Sequence, residues 1–465
     1  DDGGAADGLQ TARIAAAELP GDGWRERVAP RSEDGAALFG EPFPVGAGEA
    51  FLAAAARHTA ARSGAARAGT LEAGLDELAP ALVDAATRLA EALGGLQGAL
   101  KTLAAGLFAR LRDEAGELET ADRTRIDAAA RGLLWRAEGL AGVWRDMLAQ
   151  LAVPPDEAFV MWFEVGVAKG AAGDIGLRRH YVNPAERLAA DVLLPAGGAV
   201  ITSATLRDAP APRRTESRAD GASADETAAA AAWASAERRL GLAGSSARIE
   251  RLDEPSPFDY GRLSRVLVVT DVNRDNPDQI AGAYRALFAA SGGGGLGLFT
   301  AIARLRAVHA RLIGPMAGAG LALYAQHVDA METGALLDVF RTEEDACLLG
   351  TDAVRDGVDV PGRSLRLIVL DRTPWARPDI LHKARRAAFG SGYDDMIVRS
   401  RLKQAFGRLI RRADDRGVFV MLDTRAPSRL MNAFPDGVAP ERMGLAEACA
   451  ETARFLGDGG AARGE

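Results

Sequence analysis

Between Arg265 and Asp423 the chain repeats one pattern, a short and near-continuous apolar run followed by an amphipathic stretch. The runs are Val266–Val269, Leu296–Phe299, Leu321–Tyr324, Ala346–Leu349, Leu367–Leu370 and Val418–Leu422. Segments of helical periodicity, such as Ile280–Ala290, Ile302–Ile313 and Leu336–Glu343, separate most of them. Short apolar runs without polar alternation read as strands buried on both faces. Helices between them supply the crossovers a parallel sheet needs. The pattern therefore predicts an α/β fold with a doubly wound parallel sheet, whose ligands bind at the carboxyl ends of the strands.

Three loops draw attention there. A further apolar run, Gly198–Thr202, reads as a strand and opens into Thr202-Ser-Ala-Thr-Leu206. The hydroxyls of Thr202, Ser203 and Thr205 suit a hydrogen-bond relay beside a nucleotide, and equally a plain Ser/Thr turn. The run at Leu349 leads into Gly350–Gly362, thirteen residues with three Gly and three Asp. Gly357 lets backbone approach a ligand closely, and Asp356 and Asp359 offer acceptors to a ribose hydroxyl or an arginine. The third is Gln404-Ala-Phe-Gly-Arg-Leu-Ile-Arg-Arg412. On a continuous helix Gln404, Arg408 and Arg411 share one face, which suits phosphate oxygens or an exposed basic surface. Net charge is −8 overall, yet residues 363–412 hold 13 Lys/Arg against four Asp, a local +9 that marks a polyanion site.

The remainder divides by composition. Residues 1–48 read as a loose segment, 49–151 as several long helices, and 152–206 as a part with strands, including Phe159–Val165. Residues 207–244 read as a polar linker and a helix over about 226–240, residues 245–430 as the main α/β domain, and 431–465 as a carboxy-terminal tail. The two cysteines, Cys347 and Cys449, exclude a disulfide framework or a four-cysteine metal site from this chain alone. No stretch nears the ~18 unbroken apolar residues of a membrane helix. No signal pattern opens the chain, so no membrane association and a cytoplasmic setting are expected. It starts Asp1-Asp2-Gly3 without methionine, which is the expectation for a piece of a longer protein.

Together the three loops resemble motifs III, V and VI of the DinG/XPD family of superfamily 2 DNA helicases. Thr202–Leu206 is similar to motif III, Gly350–Gly362 to motif V, and Gln404–Arg411 with Asp415-Arg-Gly417 to motif VI. Ser256–Tyr260, Leu298–Thr300 and Thr373–Pro378 also look like the family, within a resemblance over about residues 155–430. It implies a RecA-like motor domain 2 over 245–430, the tail of motor domain 1 over 152–206, and a helical arch-like domain over 49–151.

The implied function is ATP-dependent, 5′→3′ translocation on single-stranded DNA with unwinding of forked or branched duplex in DNA repair. Arg408 and Arg411 are then arginine fingers, and Gln404 positions nucleotide or water. Gly357, Asp359, Asp356 and Gly407 belong to the ATP site, Thr202, Ser203 and Thr205 to coupling, and Thr300, Thr351, Arg377 and Lys383 to DNA. Trp375 is either a base-stacking residue or a buried packing one.

ATP and Mg2+ are implied as shared with motor domain 1. Neither a G-x-x-x-x-G-K-[ST] phosphate loop nor an Asp-Glu-Ala-His box occurs in the sequence, so this chain alone is not expected to hydrolyse ATP. An iron–sulfur cluster is not supported by this chain. Two other readings stand beside this one: a non-catalytic nucleic-acid-binding module derived from a helicase motor, and a doubly wound transferase acting on nucleotide-activated substrates. A part-domain over 152–206 leaves strand edges open, so the isolated chain is expected to aggregate or be cleaved before residue 245.

Overall fold

The computed structural model describes residues 2–29, 41–62, 70–168, 171–203, 205–208, 224–357 and 359–461. The chain forms two compact units, Asp1–Asn183 with Pro378–Ala388, and Pro184–Arg377 with Phe389–Glu465.

The first unit contains α1 (Asp2–Ala17), α2 (Trp24–Val28), α3 (Gly46–Arg62), β1 (Thr70–Gly74), α4 (Pro80–Asp113), α5 (Thr120–Trp135), α6 (Val143–Ala149), β2 (Phe159–Ala168) and β3 (Ala171–Tyr181). Pro80 starts α4 at a position where its missing N–H is harmless. Leu82, Ala85, Ala86, Leu89 and Leu93 then recur at helical spacing to make one buried stripe. That stripe packs with Phe51 of α3 and with Leu71, Phe163, Val165 and Ile175 of the antiparallel sheet β1-β2-β3.

Several sequence-based boundaries are corrected here. The segment read as loose over 1–48 is anchored: α1 packs on α4, and Val28 and Ala29 are buried, while residues 30–40 lie outside the described residues. No division falls at 151/152, because β2 and β3 complete the core of the helical unit. The strand predicted at Gly198–Thr202 does not form, and Val200 there is 94 % exposed. A strand needs a hydrogen-bonding neighbour, and among the described residues none lies beside it.

Glu49, in the first turn of α3, is buried to 1 % exposure. Arg27 donates from Nε at 2.7 Å and the Val45 amide at 2.9 Å. The Arg27 hydrogen bond is the main reason its pKa lies at about 2, below the ordinary 4.5. A carboxylate depressed in the folded state stabilises the fold fully above its unfolded pKa, and that contribution fades as pH falls through the folded value. The first unit is therefore expected to lose stability between about pH 4.5 and about pH 2. In Glu49→Gln, acid unfolding followed by circular dichroism should show a flatter dependence over that window.

The second unit holds α7 (Pro184–Leu188), α8 (Ala224–Arg239), α9 (Tyr260–Leu263), β4 (Ser264–Val269), α10 (Pro277–Ser291), β5 (Gly295–Leu298), α11 (Ile302–Gly318), β6 (Leu323–Ala325), α12 (Thr333–Thr342), β7 (Cys347–Gly350), α13 (Asp352–Gly357) and β8 (Leu367–Leu370). After α14 (Ile380–Phe389), which as far as Ala388 belongs to the first unit, come α15 (Gly392–Phe406), β9 (Gly417–Met421), β10 (Glu441–Met443) and α16 (Leu445–Ala461). The seven strands run parallel in the order β10-β4-β9-β8-β5-β7-β6. This is an α/β fold, a parallel sheet with helices on both faces.

Alternation along the strands builds two cores. Leu267, Val269, Leu349, Val369 and Val420 face α10, α11 and α16, whereas Val266, Val268, Leu348, Ile368 and Phe419 face α12, α13 and α15. Gly297 lets α10 come close: a Cβ there would stand 2.6 Å from Leu349 Cδ2 and 2.7 Å from the Tyr284 ring. Gly297→Ala is accordingly expected to cost about 1–3 kcal/mol through overpacking, read as a lower urea midpoint. As far as residue 461, the tail predicted over 431–465 is instead part of the domain. β10 pairs with β4, and α16 buries Ala448 and Phe455 against it. Among the described residues no helix is long and apolar enough to cross a membrane.

Candidate functional site

Parallel strands deliver their carboxyl ends to one edge, and the loops there are held by buried carboxylates. Asp371, following β8, is fully buried; it accepts from Arg304 Nε at 2.6 Å and from the Thr300 amide at 3.2 Å. Burial pushes its pKa up despite the arginine. Asp423, after β9, accepts from Arg274 Nη1 at 2.8 Å and from the amides of Thr373 at 2.9 Å and Arg425 at 3.1 Å. Burial opposes its charge, but these donors together hold its pKa below the usual carboxylate range. Thr300, itself exposed, is therefore fixed through Asp371.

Thr351, after β7, is held by its neighbour loop. Its amide (3.0 Å) and hydroxyl (2.9 Å) both donate to Gln326 Oε1, and Gln326 Nε2 donates to Thr333 at 3.1 Å. Next to Gln326, His327 has φ +65°, a left-handed conformation costly for a side chain, and Arg306 donates to its carbonyl. Gln326 and His327 escape sequence reasoning because a single Gln-His pair after a strand carries no spacing signal.

The arginine segment departs from expectation. Helix α15 ends at Phe406, so Gln404 is helical while Arg408 and Arg411 lie in the turn beyond Gly407. Leu409 and Ile410 are buried in that turn, although α15 itself has already ended. One helical face carrying all three residues is thus excluded. The buried carboxylate of Asp415 shapes the turn, accepting from the amides of Arg411 at 2.8 Å and Arg412 at 2.7 Å.

The same carboxylate takes the Gly362 amide at 3.2 Å, and Arg411 Nε lies 3.7 Å from Asp359 Oδ1. The Gly/Asp loop and the arginine turn are therefore joined. Asp356 and Gly357 close α13, while the Asp356 side chain and Val358 lie outside the described residues.

The hydroxyl loop forms a local turn, with the Thr205 amide donating to Ser203 Oγ at 3.1 Å and the two hydroxyls 3.2 Å apart. Thr202 is exposed, and Ala204 lies outside the described residues. Asp208, read as linker, is buried and bonded to Arg399 of α15, whereas residues 209–223 of that linker lie outside the described residues. Helix α8 covers the helix predicted over about 226–240. Arg377 is exposed in the second unit; Lys383 is exposed on α14, in the first. Trp375 is 39 % exposed, so the buried packing reading is set aside. Among the described residues there is no group of three or more His, Cys, Asp or Glu that could hold a metal ion.

Residues 284–441 match the family model described as helicase C-terminal domain. The chain is 34 % identical over 203 residues to "ATP-dependent DNA helicase YoaA" of Escherichia coli, covering 41 % of this chain and 30 % of that protein. It is 31 % identical over 297 residues to "ATP-dependent helicase DinG" of Mycobacterium tuberculosis, covering 60 % and 40 %. To "3'-5' exonuclease DinG" of Bacillus subtilis it is 29 % identical over 293 residues, covering 60 % and 29 %. The chain thus spans well under half the length of each of these relatives. Among solved structures, the S. cerevisiae protein Dbp5 bound to RNA and ADP BeF3 aligns with TM-score 0.31 and 13 % identity, over 42 % of this chain and 46 % of that one.

Proposed function

We propose, from the premise that this chain is a DinG-like helicase carboxy-terminal portion, that it acts as the second motor half of an ATP-dependent DNA helicase. The observation that supports this most is Asp415, which fastens the Gly/Asp loop and the arginine turn into one feature. ATP bound on a first motor domain is approached by Arg408 and Arg411, which stabilise charge developing on the transferred phosphoryl group. Asp359 holds Arg411 or the ribose, Gln404 positions nucleotide or water, and Gly357, Asp356 and Gly407 border the nucleotide. Thr202, Ser203 and Thr205 pass the nucleotide state to the gap between motor domains. Thr300, Thr351, Arg377 and Lys383 hold the single strand during 5′→3′ movement into forked duplex. The helical first unit is the arch-like domain.

Phosphate contacts make such binding salt-dependent and indifferent to sequence. Anisotropy of a labelled single-stranded oligonucleotide is expected to report affinity falling with salt, at a log–log slope of roughly −0.7 per contact. Arg377→Ala and Lys383→Ala should each flatten that slope by about one contact's share. An affinity that holds constant as salt rises would rule out this mode of binding.

A further inference from the structure

The amino ends of β4 and β9 lie side by side, Ser264 opposite Gly417 and Arg265 opposite Val418. On the sheet face that α16 covers, Phe455 of that helix is 1 % exposed and meets two guanidiniums. The Cζ atoms of Arg265 and Arg416 each stand 4.3 Å from its ring centroid. Arg265 is tied down independently. It donates from Nη1 to the Gly261 and Ser264 carbonyls at 2.8 Å, and its Nε lies 3.4 Å from Oε1 of Glu451, one turn before Phe455.

Arg416 stands between the two residues that shape the arginine turn. Before it, the Asp415 carboxylate gathers the amides of Arg411, Arg412 and Gly362. After it comes Gly417, where a Cβ would stand 2.8 Å from Leu409 Cδ2, so Leu409 packs onto bare backbone. A cation over an aromatic face is attracted by the ring quadrupole, the more so where water is excluded. Glu451 offsets the charge of Arg265, which lowers the repulsion a second guanidinium meets there. We propose that Phe455, through Arg416, is a positioning residue for ATP turnover. It pins the end of the arginine turn, so that Asp415 and the backbone carrying Arg408 and Arg411 keep the geometry phosphoryl transfer needs. This rests on the helicase reading above and adds to it a task for α16.

The readout is ATP turnover of the intact protein with single-stranded oligonucleotide present. Slight misplacement of a group at the reacting centre can cost as much as about 10²-fold. Phe455→Leu keeps apolar bulk without the π face, and Arg416→Gln removes the charge. Each is expected to lower kcat about tenfold to a hundredfold with KM unchanged. Arg416→Lys keeps a cation and should recover most of the loss. Both variants break one contact, so the double variant should be little worse than either alone.

Turnover equal to wild type in folded Arg416→Gln overturns the proposal. So does a double variant whose loss is the product of the two single losses. A loss matched by Phe288→Leu, in the same core but on α10, at an equal melting temperature also overturns it, since stability alone would then explain it. If Arg411→Ala abolishes turnover while Phe455→Leu and Arg416→Gln keep it, the positioning role fails and the helicase reading stands. If the wild-type protein shows no DNA-stimulated turnover, both fall.

Discussion

Arg411→Ala in the intact protein is expected to reduce DNA-stimulated ATP turnover by roughly 10³- to 10⁵-fold, the range seen for arginine fingers. Tenfold in rate corresponds to about 1.4 kcal/mol, so this is a loss of about 4–7 kcal/mol of transition-state stabilisation. The effect should fall on kcat rather than KM, because the charge the guanidinium meets develops only as the phosphoryl group transfers. The fold should not suffer. Arg411 and Asp359 form a partly exposed pair at 3.7 Å, a kind worth about 0–1 kcal/mol. Arg411→Lys keeps the charge but loses the planar fork, and should sit between wild type and alanine. Arg408→Ala is expected to behave as Arg411→Ala does. Turnover unchanged in either alanine variant would remove that residue from the nucleotide site.

Phe406→Ala carries the second large effect, and for a different reason. Phe406 is the last residue of α15, and its ring lies 5.5 Å from that of Phe434, 5.8 Å from Tyr260 and 6.2 Å from Phe419. It is buried against the sheet, so truncation leaves a cavity costing about 3–5 kcal/mol. Against the 5–15 kcal/mol or so that a domain has in total, this is a large fraction. Chemical unfolding monitored by hydrogen exchange in β9 and β8 should show that loss confined to the second unit. The arginine turn starts one residue later, so the surviving folded protein should also lose ATP turnover. A change below about 1 kcal/mol would mean that the aromatic cluster does not anchor the turn.

Six of the seven strands of the parallel sheet were legible because a sheet covered on both faces demands unbroken apolar runs, and each run found its strand within two residues. β10 was not, since a three-residue edge strand made of Glu441, Arg442 and Met443 has no apolar run to see. The composition of 207–225 suggested a linker, and nothing local marks Asp208 as the partner of a cation 191 positions away. For the arginine segment, residue types and spacing were visible but geometry was not. Periodicity extends a helix through Gly407, whereas the Asp415 carboxylate, accepting from the amides of Arg411 and Arg412, holds the chain in a turn there. Gly198–Thr202 shows the converse: an apolar run reads as a strand in sequence but becomes one only beside a partner strand.

The central claim is that this chain supplies the arginine side of an ATP site whose turnover responds to single-stranded DNA. It is tested most directly by ATP hydrolysis of the intact protein with and without a single-stranded oligonucleotide, wild type beside Arg411→Ala. The account predicts stimulation by the oligonucleotide in wild type and its disappearance in Arg411→Ala, with oligonucleotide binding retained. Binding of the oligonucleotide without any nucleotide hydrolysis, or hydrolysis indifferent to both DNA and Arg411, would contradict it.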